Sequence, residues 1–157
     1  MVSTAVKILV PVAVIAIVGI AFFSVITSPE ECRYDYEVEL TDSFVGYNGV
    51  VEKAGDGKQY AIIHITAAND GVVGGISLNP YTWVWHILAD GITYTHCLDH
   101  YSHPEHGESP MTIDMGSTGS YVVVLEVPKT LTLNDMEVTT EYSSSIVTLI
   151  HDDSLIN

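Results

Sequence analysis

The sequence predicts an all-β chain: an antiparallel β-sandwich preceded by one N-terminal transmembrane helix. Three observations lead there. An apolar run of bilayer length lies near the start. At Tyr34 it gives way to residue-by-residue alternation. Short alternating segments, parted by Gly, Pro and Asn-Asp turns, then continue to the end.

Ile8 to Ile26 is apolar apart from Ser24. At about 1.5 Å per residue it spans about 28 Å, close to the hydrocarbon thickness of a bilayer. Pro11 falls in the first turn, where a missing N–H costs little. Lys7 precedes the run, and Glu30 and Glu31 follow it, so the N-terminus is expected in the cytoplasm and the bulk of the chain outside. A cleaved signal peptide is the competing reading, but its apolar region is usually only about 7–15 residues. The exit Ser24-Val25-Ile26-Thr27-Ser28-Pro29 offers no A-x-A site, and Pro29-Glu30-Glu31 before Cys32 disfavours a lipidated cysteine. The expected organisation is residues 1–7 cytoplasmic, 8–27 anchor, 28–33 linker, 34–151 extracellular sandwich and 152–157 tail. About 125 residues beyond the anchor suffice for one hydrophobic core.

Tyr34, Tyr36, Val38 and Leu40 alternate with Asp35, Glu37 and Glu39, the pattern of a half-buried strand with one wet face. Phe44 to Val51 reads as a second, weaker strand, and Gly55-Asp56-Gly57 as a turn. Tyr60 to Ala68 is strand, with Ala61, Ile63, Ile65 and Ala67 on one side, closed by Asn69-Asp70-Gly71. Between Trp83 and Cys97, Asp90-Gly91 is a two-residue type I′ turn joining paired strands. That register sets Ala89 opposite Ile92, Ile87 opposite Tyr94 and Trp85 opposite His96. Trp83, Trp85, Ile87, Ala89, Ile92 and Tyr94 then share a core face. Leu98 to Pro110 is polar and reads as loop, Met111 to Met115 as a short strand, and Gly116 to Gly119 as a turn. Tyr121 to Val127 is an apolar strand ending at Pro128, and Asn134 to Tyr142 and Ile146 to Ile150 are the last strands. No helix outside the anchor and no internal repeat is read. Many short strands with punctuating turns indicate a sandwich.

Three stretches carry a family resemblance. They are Tyr60-Ala61-Ile62-Ile63-His64-Ile65-Thr66-Ala67-Ala68-Asn69, then Asp90-Gly91-Ile92-Thr93-Tyr94, then Gly119-Ser120-Tyr121-Val122-Val123-Val124-Leu125-Glu126-Val127-Pro128. In that order the chain resembles a domain-of-unknown-function family of immunoglobulin-like (telokin-like) sandwiches on surface proteins and lipoproteins of bacteria and archaea. A secreted mycobacterial immunoprotective antigen is among that family's structural relatives. The resemblance covers residues 34–142 and implies an immunoglobulin-like fold and an extracellular address. It implies no catalytic residues. The chain departs from the lipoprotein members in lacking a lipobox, and from the plain pattern in its histidine-rich loop.

The formal charge is −15, with Lys7, Lys53, Lys58, Lys129 and Arg33 the only cations beside 20 carboxylates. Such a surface repels phosphate backbones and anionic headgroups, so nucleic acid is excluded and membrane contact must come from apolar insertion. Solubility, nearby cations and a saline habitat would all produce this acidity.

Four of the seven histidines lie together: His96, His100, His103 and His106. Imidazole is the commonest borderline metal ligand, and Asp99, Glu105 or Glu108 could complete a Zn²⁺ or Cu²⁺ set. Pro104 and Gly107 argue against one helix presenting all four, and no H-E-x-x-H spacing occurs. The plain alternative is a solvated polar loop. A third is a pH sensor, since exposed imidazoles gain charge as pH falls through about 6.5. Cys32 and Cys97 are the only cysteines, and in an exported domain they could pair, pinning the first strand to the end of the hairpin. Free thiols, or Cys97 as a metal ligand, are the other readings. Trp83 and Trp85, with Tyr81, Tyr94 and Tyr101, read as core before they read as a ligand platform. His64 and His86 fall at outward positions, and Asp152 and Asp153 read as a solvated tail.

No G-x-S-x-G elbow, P-loop, haem motif, EF-hand loop or N-x-[ST] sequon occurs. The expected function is therefore a non-catalytic, membrane-anchored module that presents loops to a protein or cell-envelope partner. A metal-binding surface protein using the histidine loop is the alternative. A second is an accessory subunit of a membrane complex, with Ala16 and Gly19 allowing close helix contact.

Overall fold

The alternating segments become strands, named in chain order: β1 (Glu30–Thr41), β2 (Ser43–Val45), β3 (Val51–Lys53), β4 (Lys58–Asn69), β5 (Ile76–Leu78), β6 (Trp83–Ala89), β7 (Ile92–Thr95), β8 (Tyr101–Ser102), β9 (Met111–Ile113), β10 (Thr118–Pro128), β11 (Glu137–Tyr142) and β12 (Val147–His151). A 3₁₀ turn, Leu133–Asp135, precedes β11. The structure, a computed structural model, describes residues 30–46, 49–79, 81–95, 101–102, 111–143 and 147–156. No helix among these is long and apolar enough to cross a membrane, and the anchor expected over 8–27 lies outside them.

Two sheets stack as a sandwich. One runs β12-β1-β4-β10-β8 and the other β11-β6-β7, with two small ladders, β2-β3 and β5-β9. The long central pairings are antiparallel. β4 runs against β1 from Cys32↔Asn69 to Thr41↔Tyr60, and against β10 from Thr118↔Ala68 to Pro128↔Lys58. The Asp90-Gly91 hairpin has the predicted register, with Ala89 opposite Ile92 and Ile87 opposite Tyr94. Both turn residues have positive φ, 52° and 75°, as a type I′ turn requires.

The inner faces follow the period-2 pattern. Ala61, Ile63, Ile65 and Ala67 of β4 and Tyr121, Val123, Leu125 and Val127 of β10 meet Trp83, Trp85, Ile87 and Ala89 of β6. Each indole is fully buried. Removing roughly 200 Å² apiece from water gives about 5 kcal/mol each at ~25 cal/mol per Å², before ordering entropy. The two indoles are not equivalent. Trp85 Nε1 donates to Tyr121 Oη across the sandwich at 2.6 Å, whereas Trp83 Nε1 finds no acceptor. The outer face of the large sheet is also covered, by Phe44 and Ala54 over Tyr60, Ile62 and Val124.

Buried polar groups close the ends. Asn69 Nδ2 donates to Val72 O (3.0 Å) and Ile113 O (2.9 Å) while its Oδ1 accepts from Val72 N (2.7 Å). Gln59 Nε2 donates to Leu131 O at 2.8 Å. Gly75, at φ 89°, passes so close to β9 that a Cβ would collide with Thr112.

Several expectations are corrected. Phe44 to Val51 is two short strands, because Gly46 and Gly49 reverse the chain between them (Gly46 N to Val50 O, 2.9 Å). Tyr101 and Ser102, read within a loop, pair with Val123 and Val122 of β10. Ile92, placed in the core, is 54% exposed, because it sits at the hairpin tip on an edge strand. β5 was not foreseen, and β1 begins at Glu30, ahead of Tyr34. The sandwich is not wholly antiparallel, since β12 runs parallel to β1.

The indoles supply a test. Trp85→Phe strands the Tyr121 hydroxyl, whereas Trp83→Phe removes a donor that was already unpaired. Urea denaturation should find Trp85→Phe less stable than Trp83→Phe by about 1–3 kcal/mol. Equal losses would contradict the assignment.

Candidate functional site

The chain's last strand stops early, and that creates a seam. β12 pairs with β1 from Glu30↔Val147 to Tyr34↔His151. Asp152 N then donates to Tyr34 O at 2.8 Å, and the chain turns away. The turn is fixed by Asp152, whose carboxylate accepts from Ser154 N (3.0 Å) and Ser154 Oγ (2.6 Å). Arg33 locks it, reaching Asp152 Oδ2 through Nη1 at 2.8 Å and holding Asp70 with its remaining donors. The Ser154 bonds first, and Arg33 second, hold the Asp152 carboxyl down at about 2. The tail expected to be solvated is thus tied to the first strand.

Beyond Tyr34, no described strand pairs with β1 on the side away from β4. The main-chain groups of the even-numbered residues face that side, as the Tyr34 carbonyl does. The Tyr36 N–H is taken by its neighbour, donating to Asp35 Oδ1 at 2.8 Å. A groove of about 440 Å³ runs alongside, lined by Tyr36, Val38, Leu133, Met136, Glu137 and Val138.

At the head of this seam sits His151. Its ring stacks on Tyr34 (centroids 5.4 Å apart) and Tyr36 (5.3 Å), which in turn meet Trp85 edge-on. Nε2 of His151 faces Asp35 Oδ1 at 3.4 Å and Asp153 Oδ1 at 3.3 Å. Asp35 is buried, Asp153 exposed. Burial foremost, and then the charges of Asp35, Asp153 and Glu137, push the Tyr36 phenol up, so it stays a neutral hydroxyl. Asp35, Asp153 and Glu137 make this end of the seam anionic, and the Arg33 guanidinium on β1 is already engaged by Asp70 and Asp152.

The residues singled out in the sequence fare differently. His96, His100, His103, His106, Asp99, Glu105, Glu108 and Cys97 lie outside the described residues. Cys32 is fully buried with a free thiol, which burial, and then Asp70, pushes up to about 12. His64 is exposed, and His86 meets Thr95 Oγ1 at 3.0 Å. Sequence reading missed Asp35, His151 and Asp153. The available signal was His151-Asp152-Asp153, three ligand-type residues at the end of a strand, but Asp35 is brought to them only by the parallel pairing.

No family model matches the chain, and no curated protein matches it. Among solved structures it is similar to an uncharacterized beta-sandwich protein from Clostridium difficile 630. Identity is 16% over 73% of this chain and 80% of that one, with a TM-score of 0.46.

Two measurements follow. Asp152 titrates lower folded than unfolded, so its contribution is complete above the ordinary carboxylate value and drains away as pH falls from about 4 towards 2. Urea midpoints taken between pH 5 and pH 2.5 should fall less steeply for Asp152→Asn than for the parent, and parallel curves would refute the role. Cys32, buried and protonated, should resist iodoacetamide at pH 8 in the native protein and react in urea. Peptide mapping separates it from Cys97, and rapid native labelling at Cys32 would overturn its placement.

Proposed function

We propose that this chain is a non-catalytic β-sandwich module, held on the outer face of a membrane by residues 8–27, that binds a protein partner along the open edge of β1. One observation carries the reading. Among the described residues no strand pairs with Asp35 to Thr41 on the β12 side, which lies beside an apolar-floored groove, the geometry an added strand uses. Asp35, Glu37, Glu39, Glu137 and Asp153 surround that edge, so a basic, extended segment is favoured as occupant. The same charges disfavour edge-to-edge pairing with a second copy. The immunoglobulin-like reading is kept as part of this proposal. Tryptophans buried between the sheets and a long-range hydrogen bond from Trp85 to Tyr121 support it.

The test uses the free edge itself. Val38 directs its main-chain N–H to the open side, so Val38→Pro removes a donor that β4 does not use. In native membranes, a photo-crosslinker at Glu37 should give one defined adduct, and one at exposed Ile92 should not. Val38→Pro should abolish that adduct while retaining a folded chain by circular dichroism. An adduct indifferent to Val38→Pro, or formed equally from Ile92, would sink the reading.

A further inference from the structure

We infer that Asp35, His151 and Asp153 form a binding site for one divalent ion of the zinc class, clipping the end of β12 to β1. The three ligand atoms lie within 4.8 Å of one another. The separations from His151 Nε2 are 3.4 and 3.3 Å, too long for good imidazole–carboxylate hydrogen bonds, which close to about 2.7–2.9 Å. They match the spacing between ligands of a tetrahedral ion, about 3.3–3.4 Å when the bonds are about 2.0–2.1 Å.

Asp35 supplies an independent argument. The residue is 7% exposed, and its Oδ1, which faces His151, also accepts the Tyr36 N–H at 2.8 Å. A carboxylate this buried is favoured by a cation beside it, since little water remains to solvate its charge. The Tyr36 N–H fixes that carboxylate's orientation, and the two tyrosine rings fix the imidazole plane, the supporting roles that groups behind metal ligands play. Asp153, 89% exposed, leaves the remaining coordination position open to solvent. One nitrogen and two carboxylates suit a borderline first-row ion. Ca²⁺ and Mg²⁺ prefer all-oxygen sets and Cu⁺ prefers sulfur. The acidic surface raises the local cation concentration.

None of the three ligands belongs to the histidine-rich segment, and the experiment keeps the two apart. The full, untagged chain is purified in detergent with His96, His100, His103 and His106 each replaced by alanine. Zn²⁺ is titrated by calorimetry and Co²⁺ by visible absorption. The expected result is one Zn²⁺ per chain, four-coordinate Co²⁺ bands, and no displacement by equimolar Ca²⁺. His151→Gln and Asp153→Asn should each weaken Zn²⁺ binding by about 10–100-fold. Asp153 is exposed, so its substitution leaves the fold intact, and the melting temperature should rise with Zn²⁺ in the parent but not in His151→Gln. No uptake by the loop variant, uptake unchanged by either substitution, or displacement by Ca²⁺ would overturn the proposal. Because the readout is metal alone, its failure leaves the partner-binding reading untouched.

Discussion

A parallel strand pair has no hairpin to set its register, so something else must decide where β12 ends on β1. Arg33 does this. Its planar fork spans Asp70, just past β4, and Asp152, just past β12, tying both strand ends to one residue of β1. Were the register to slip by one residue, His151 would move to the other face and lose both tyrosine rings. The uncovered edge, the groove beside it and the convergence of Asp35, His151 and Asp153 all inherit their positions from this clamp.

The seam is also rigid from beneath. Tyr34 and Tyr36 have two duties, stacking on His151 while packing against Trp83 and Trp85. Trp85 is bonded to Tyr121 on the far side of the core. A side chain at the seam therefore rests on aromatic packing that crosses both sheets. Displacing His151 would disturb the tyrosines, and through them the largest buried groups in the molecule. Interiors at organic-crystal density tolerate little of that. Preorganisation of this kind favours a binding surface, because fewer rotamers remain to be frozen when a partner or ion arrives.

Wherever local chemistry determined the structure, it was legible in the sequence. Asp90-Gly91 set the hairpin register, alternation marked the first strand, and a β-branched apolar run closed by Asn69-Asp70-Gly71 marked β4. Near-continuous apolar character marked β10, which is buried on its inner face and partly covered on the outer one. Legibility failed for two physical reasons. Strands of two or three residues, such as β5 and β8, are too short to show a period and exist only because a partner pairs with them. The candidate site failed for a different reason. Its ligands come from β1, from the last residue of β12 and from the turn after it, and only a long-range parallel pairing joins them. The histidine-rich segment is legible for the opposite reason, its imidazoles being close in sequence.

The two features of the seam are also coupled by charge. Asp35 and Asp153 contribute to the negative field along the open edge of β1, and the same two carboxylates face His151. A divalent ion held there would neutralise them and weaken the attraction of a basic segment for the edge. By linkage, a basic segment on the edge would weaken the ion to the same degree. Glu37, Glu39 and Glu137 would keep much of the field, so the coupling is partial. Its size depends on how far each charge is screened, and the exposed Asp153 counts for less than the buried Asp35. Asp35 is thus where the two roles meet. Its Oδ1 occupies the Tyr36 N–H that an added strand would otherwise use, and the same oxygen faces the histidine. An incoming strand can pair fully from Val38 onward, while at Tyr36 it must compete with Asp35.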